Sequence, residues 1–395
     1  MDRDIEIDRY NNFMKPYPPT LDDSIQKLSI KSDESAIKKG KADDIIDEFL
    51  RIYELTIQDY QNFTPEIQLQ WCEILIQVSG NKKFVSRYTI NGEKLSHELN
   101  HEQMIRNANI IIEHSMKVVT KLIRLKYGPA YYLMGCLYSH KYKVAITFLD
   151  QDDMKALEYY KKGAVLRHSE CCYRAGICYE YGKGAVKDTS KAIEYYKIGA
   201  LKCNNYDCMF RLGHISLYEN GDVTESIKWY DMGQLNGSCH ACFEMGKIYE
   251  FNGLNEDIQN LLMAYGIERD YKLALTYYYR CAIKYDYSLA QWKLGYCYEQ
   301  GSLGLRVDGL KSLSWYYESV KGHDKMLNVM GILGISGWYI TGIPGVLNPN
   351  WAQALQWASR ACDIPGTQAG VKAKAERCRD LLLQMAGVEP GTAAR

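Results

Sequence analysis

Apolar residues recur along this chain at helical rather than strand spacing. Ile46, Phe49, Leu50, Tyr53 and Ile57 follow one another at intervals of three and four, which predicts one apolar helix face beginning near Asp43. Thr64-Pro65-Glu66 then supplies an N-cap residue, a proline where the first helical N–H needs no partner, and an early acid. It predicts a helix from Pro65 through about Val78. Asn100 and Gln103 make a capping pair ahead of HEQMIRNANIIIEHSMKVVTKLIRLKYG, a long helix expected to stop at Gly128. Three or four helices are thus expected across residues 43–128. Residues 1–42 cluster Pro, Lys and Asp with little periodic apolar pattern, and read as a mobile N-terminal arm.

From residue 129 to 362 the pattern repeats itself six times. AYYLMGCLY, CCYRAGICY, CMFRLGHIS, ACFEMGKIY, AQWKLGYCY and GILGISGWY align on an anchor at Gly135, Gly176, Gly213, Gly246, Gly295 and Ser336. Each is followed by a second motif: KALEYYKKGA, KAIEYYKIGA, ESIKWYDMGQ, LALTYYYRCA, KSLSWYYESV and QALQWASRAC. The anchors of these are Ala156, Ala192, Ser226, Ala274, Ser312 and Ala354. From a second anchor to the next first anchor the spacing is 20, 21, 20, 21 and 24 residues; within a repeat it is 21, 16, 13, 28, 17 and 18. Length variation therefore concentrates after the first helix, as expected of an exposed connection between two packed helices. The longest insertion, about 252–269, carries its own apolar run, IQNLLMAYGI, which marks it as a candidate functional loop.

The core logic of one repeat is readable. A small residue stands five before the first anchor, and Gly or Ser at the anchor lets a partner helix approach closely. In the second motif the anchor and the second aromatic are at i and i+4, on one face. Such helix pairs cannot bury their faces alone, so the predicted fold class is all-α, an α-α superhelix or solenoid of helix-turn-helix repeats. Residues 363–395 hold one further predicted helix, VKAKAERCRDLLLQM, placed to cap the array, and a tail.

Composition narrows the function classes. Lys+Arg 48 against Asp+Glu 48 gives no net charge, so nothing global points to nucleic acid or an anionic membrane. Tyrosine is unusually common, 33 against 8 phenylalanines, which suits the half-packed, half-wet positions of an elongated array. The 13 cysteines are sparse for a secreted disulfide scaffold, and the start, MDRDIEIDRYNN, is charged where a signal peptide would be apolar; a reducing, cytoplasmic compartment is expected. VMGILGISGWYITGIPGVL is long enough to cross a bilayer, but it falls in the register of the sixth repeat, so no transmembrane span is expected.

Catalytic chemistry is thin. His97-Glu98-Leu99-Asn100-His101 matches the zincin H-E-x-x-H formally. That site needs both histidines on one helix, and Asn100 reads as an N-cap between them. Cys239-His240-Ala241-Cys242 lacks a second C-x-x-C at metal spacing, and small buried thiols explain it. Gly182-Lys183-Gly184 reads as a loop after a helix C-cap. No enzyme activity, metal or cofactor is expected. The alternative, a zinc hydrolase built on His97, Glu98 and His101, predicts bound metal and activity lost in a Glu98→Gln variant.

A-x-x-x-L-G-x-x-Y followed by K-A-x-x-Y/W-Y-x-x-A/G-A resembles the Sel-one-like repeat, a relative of the tetratricopeptide repeat. More narrowly, TPEIQLQWCEIL, PAYYLMGCLYSH, DIQNLLMAYGI, LAQWKLGYCYEQGSLGL and SGWYITGIPGVLNPN are similar, in order, to the fungal activators of chitin synthase III. That resemblance implies a non-catalytic regulatory subunit that binds a membrane chitin synthase from the cytosolic side, at the plasma membrane or septum, with cell-cortex or bud-neck scaffold proteins as further partners. It differs in one respect: the family commonly ends in a Cys-a-a-X lipidation box, whereas this sequence ends GVEPGTAAR with its last cysteine at Cys378, so lipidation is not carried over. A generic scaffold of the same repeats, in signalling or protein quality control, is the alternative.

In tetratricopeptide-like arrays one face of the first helices lines the concave groove. Positions three before, one after and four after the anchor share that face. They are Tyr173, Ile177 and Glu180; Phe210, His214 and Leu217; Phe243, Lys247 and Glu250; Trp292, Tyr296 and Glu299. An aromatic row flanked by charge suits a partner's helix or extended segment. Plain repeat packing explains the rings equally well, and a solvated face explains the charges.

Overall fold

A computed structural model of the chain describes residues 64–89, 94–139, 150–321, 329–364 and 367–385. The expected arm, the Ile46–Ile57 helix and the tail after Met385 lie outside the described residues. Within them the chain is all-α, with two isolated bridges, Tyr88 to Lys94 and Ile343 to Leu347. The helices are α1 (Pro65–Ser79), α2 (Lys82–Arg87), α3 (His101–Arg124), α4 (Gly128–Tyr138), α5 (Asp153–Val165), α6 (Ser169–Tyr181), α7 (Thr189–Cys203), α8 (Tyr206–Tyr218) and α9 (Val223–Leu235). They continue with α10 (Cys239–Glu250), α11 (Glu256–Ala264), α12 (Tyr271–Lys284), α13 (Ser288–Gln300), α14 (Gly309–Lys321), α15 (Val329–Thr341), α16 (Trp351–Cys362) and α17 (Ala369–Met385). They fall into two compact units that part between Leu212 and Gly213, inside α8.

In the first unit α1 opens where its sequence requires: the Thr64 side chain accepts from the Ile67 N–H. Leu69, Cys72 and Ile76 of α1 pack with Val119 and Leu122 of α3 and with Ala130, Leu133 and Leu137 of α4. At its other end α1 meets Phe84, Val85 and Ile111. Asn100 and Gln103 form a reciprocal capping box on α3. That helix ends at Arg124, earlier than the expected Gly128, because Lys126 turns into the left-handed region at φ 57°. Gly128 instead opens α4, where a Cβ would press on the His168 side chain at 3.1 Å. The repeat pairs α4–α5 and α6–α7 follow.

The second unit pairs α10 with α12, α13 with α14, and α15 with α16, and α17 packs on α16 through the buried Ala375, Leu382 and Leu383. The insertion after α10 folds into its own short helix, α11, capped by Asn255 and anchored by the buried Ile258 and Leu262.

One steric device recurs in both units. A Cβ on Gly135, Gly176, Gly213, Gly246 or Gly295 would lie under 3.0 Å from the ring of Tyr160, Tyr196, Tyr230, Tyr278 or Tyr316 respectively. These five tyrosines are the i+4 aromatics of the second helices, and all are buried. The sixth repeat exchanges both partners: Ser336 stands at the anchor and Ala358 where the tyrosine would be, and Ser336 donates to the Ala354 carbonyl at 2.8 Å. Volume lost on one helix is returned on the other.

A second device explains why the connections tolerate so much variation. In all six repeats an Asp or Asn four before the second anchor caps the second helix, and its own N–H donates to a carbonyl three past the first anchor. Asp152 reaches Tyr138, Asp188 Tyr179, Asp222 Ser216, Asp270 Tyr249, Asp308 Tyr298 and Asn350 Tyr339, at 2.7 to 3.0 Å. The loop is closed by its end, so an insertion as long as 252–269 leaves the helix pair unchanged.

Candidate partner-binding face

The three positions expected to line a groove do different things. The rings three before the anchor lean on the buried tyrosine of their own repeat. Tyr173 lies 6.2 Å from Tyr196 and Phe243 lies 5.3 Å from Tyr278, centroid to centroid. Phe243 is also edge-on to Tyr287. Packing therefore accounts for part of this row. Phe210 is half-buried on α8.

At the next position Ile177, His214 and Lys247 are half-buried and Tyr296 is 42% exposed. His214 sits 4.5 Å from Tyr218, Lys247 pairs with Glu244 at 2.9 Å, and Tyr296 lies 6.0 Å from Trp292. Trp292 beside the exposed Tyr296 is itself half-buried.

The third position corrects the expectation of a solvated charge. Glu180 is buried, and its carboxylate receives the Tyr196 hydroxyl at 2.6 Å and the Arg211 guanidinium through Nε at 3.1 Å and through Nη2. Glu250 is built alike: Tyr278 donates to Oε2 and Lys293 to Oε1, both at 2.6 Å. Glu299 receives the Tyr316 hydroxyl. Burial pushes the Tyr196, Tyr278 and Tyr316 phenols up, so each keeps the proton it donates. The first repeat reproduces the bond without charge, with Ser139 and Tyr160 hydroxyls 3.1 Å apart.

The cations come from a position the groove reading did not include, two before the anchor of the following repeat. Arg211 and Lys293 hold it where the preceding repeat has Glu180 and Glu250. Where the preceding repeat has Leu217, the position holds Glu244, which turns to Lys247 and Tyr218 instead. The signal lies in the sequence, but only as a pair of positions in neighbouring repeats. Each half alone varies in sign.

The remaining motifs resolve structurally. The α3 cap puts His97 outside the helix that His101 begins, and Glu98 sits by Ser86 at 3.3 Å and Arg87 at 3.5 Å. Cys242 is buried and Cys239 half-buried, and burial raises the neighbouring Cys281 thiol. Gly182 takes the left-handed C-cap of α6 at φ 68°. Among the described residues no three His, Cys, Asp or Glu side chains are grouped to share a metal ion, and no helix is long and apolar enough to cross a membrane.

The Sel1 repeat profile matches residues 128–164, 169–202, 207–233, 239–283, 288–323 and 332–364, one match to each structural repeat. The chain belongs to the Sel1 repeat family. Among relatives, Activator of C kinase protein 1 of Saccharomyces cerevisiae is 45% identical over 79% of this chain and 53% of its own length. Chitin synthase regulatory factor 3 of Schizosaccharomyces pombe is 32% identical over 59% of this chain and 24% of its own. Chitin synthase regulator SKT5 of Saccharomyces cerevisiae is 23% identical over 76% and 41%. The chain thus spans about half the length of the first of these relatives and less of the others.

Proposed function

We propose that this Sel1 repeat chain is a non-catalytic regulatory adaptor that binds a membrane chitin synthase from its cytosolic side and activates or localises it. The observation that carries the reading is the regulator name borne by relatives that align with 59% and 76% of this chain. The action would be differential binding: contacts made better with the active or correctly delivered synthase shift its population by that difference and no more. Cell-wall chitin synthesis, measured with and without the chain, tests it. A fall without the chain, restored by re-expression, is the expected result; unchanged synthesis sinks the reading.

A second reading is favoured by the relative named an activator of C kinase. There the same surface would serve a signalling scaffold. In that case loss of the chain changes kinase output and leaves chitin synthesis unaltered.

A further inference from the structure

Three first helices present a carboxylate four past the anchor, and each carboxylate receives a tyrosine hydroxyl from its own repeat. In two of them the other oxygen, Oε1, takes a cation from the next repeat, Arg211 on Glu180 and Lys293 on Glu250. The third differs. The position that would supply the cation to Glu299 is Gly334, and a Cβ there would fall under 3.0 Å from the Tyr316 ring, so the close helix approach selects glycine. Among the described residues Tyr316 is the donor to Glu299 and its Oε1 takes none.

Gly337, one past the anchor on α15, has nothing within 4 Å of where a Cβ would stand. On α13, Tyr296 and Trp292 share the face of Glu299, one and two turns back, with Tyr296 42% exposed. Glu299 itself is half-buried. A carboxylate already fixed by a hydrogen bond, on a helix face that also carries two rings, one of them with Lys293 Nζ 5.9 Å from its centroid, suits a further cationic side chain. The aliphatic stem of such a chain would lie along the rings while its charge meets Oε1.

We propose that Glu299, with Tyr296 and Trp292, receives a lysine or arginine side chain from a partner protein, completing from outside the ion pair that Arg211 and Lys293 complete from within. The proposal builds on the adaptor reading and specifies what the partner must present: a Lys or Arg beside apolar residues. It does not depend on which protein presents it.

The test uses random dodecapeptides displayed on phage and selected on the immobilised full-length chain. Enriched peptides should share a Lys or Arg next to an apolar residue, and Glu299→Gln should weaken them about three- to fivefold, the size of one partly exposed charge pair. Replacing the peptide's cation by Gln should cost the same, with little further loss when both changes are combined. Because Gln at 299 keeps an oxygen for the Tyr316 hydroxyl, folding should be retained, checked by thermal melting, and Tyr296→Ser gives a second variant that leaves the carboxylate in place. Enriched peptides without a cation, equal binding to Glu299→Gln, additive losses, or no enrichment would each overturn the proposal. Co-purification of chitin synthase answers the separate question. Cationic peptides selected as expected with no synthase retained would remove the synthase and keep the site. Synthase retained equally by the wild type and Glu299→Gln, together with peptides that bind both equally, would keep the synthase and remove the site.

Discussion

Tyr196 occupies the space that any side chain at Gly176 would need: a Cβ there would lie under 3.0 Å from the ring. The same relation holds between Gly246 and Tyr278 in the other unit, so it belongs to the repeat and not to one site. Gly176→Ala is expected to lower stability by about 1–3 kcal/mol through overpacking, read as a fall in the urea midpoint. Gly176→Ser combined with Tyr196→Ala, the solution found at Ser336 and Ala358, should cost less than the two changes summed. Strict additivity would show that ring and glycine do not share the volume.

Glu180 and Arg211 form an ion pair whose side chains are 7% and 13% exposed. Glu180→Ala leaves the guanidinium without its carboxylate and should destabilise by about 3–5 kcal/mol. Replacing both partners by leucine should recover much of that loss, because two desolvated charges leave together. Thermal melts of the single and double variants decide it; a double variant no better than Glu180→Ala would contradict the account.

Alkaline pH should lower the stability of the protein as cysteine and tyrosine ionise in the unfolded chain. Burial pushes the Cys178 thiol up to about 11 and the Cys72 thiol and Tyr277 phenol up to about 12. These groups hold their protons more tightly folded than unfolded, so their contribution is full below the unfolded values near 9 to 10 and is lost as pH rises toward 12. Stability should therefore hold up to about pH 9 and decline from there to pH 11, and Cys178→Ala should flatten the decline. A stability that rises across this range would reverse the sign.

Asp188 caps α7 by accepting from the Lys191 N–H at 3.0 Å, while its own N–H donates to Tyr179. Asp188→Ala removes the first bond and keeps the second, so a loss of about 1 kcal/mol is expected, with Asp188→Asn close to wild type. Asp188→Pro removes the backbone bond that closes the loop and should cost more than the alanine. An alanine variant as damaged as the proline would shift the weight from backbone closure to the side chain.

Much of this was legible before any coordinates. The Thr64 and Asn100 caps, the pairing of the anchor with the i+4 tyrosine, and the place of the insertion follow from spacing and residue size, since each acts within one helix or one helix pair. The end of α3 was misplaced because glycine is a permissive residue, not an obligatory stop. At Gly128 the freedom serves close approach to His168. The shared Asp or Asn before every second helix stands in the sequence at one fixed offset, and its loop-closing N–H bond is visible only in the fold.

By itself the sequence determined the helices and their repeat register, because periodicity and side-chain size are local quantities; that each i+4 tyrosine rests on the glycine of its own repeat came only with the fold. Tertiary structure decided which of three equivalent carboxylates is neutralised inside the protein. Glu180, Glu250 and Glu299 read alike along their own helices. What separates them is a residue more than thirty positions onward, Arg211, Lys293 or Gly334, brought alongside by the stacking of neighbouring repeats. Burial and pairing are properties of that stack, since a charge is desolvated by what packs over it and not by its place in a motif.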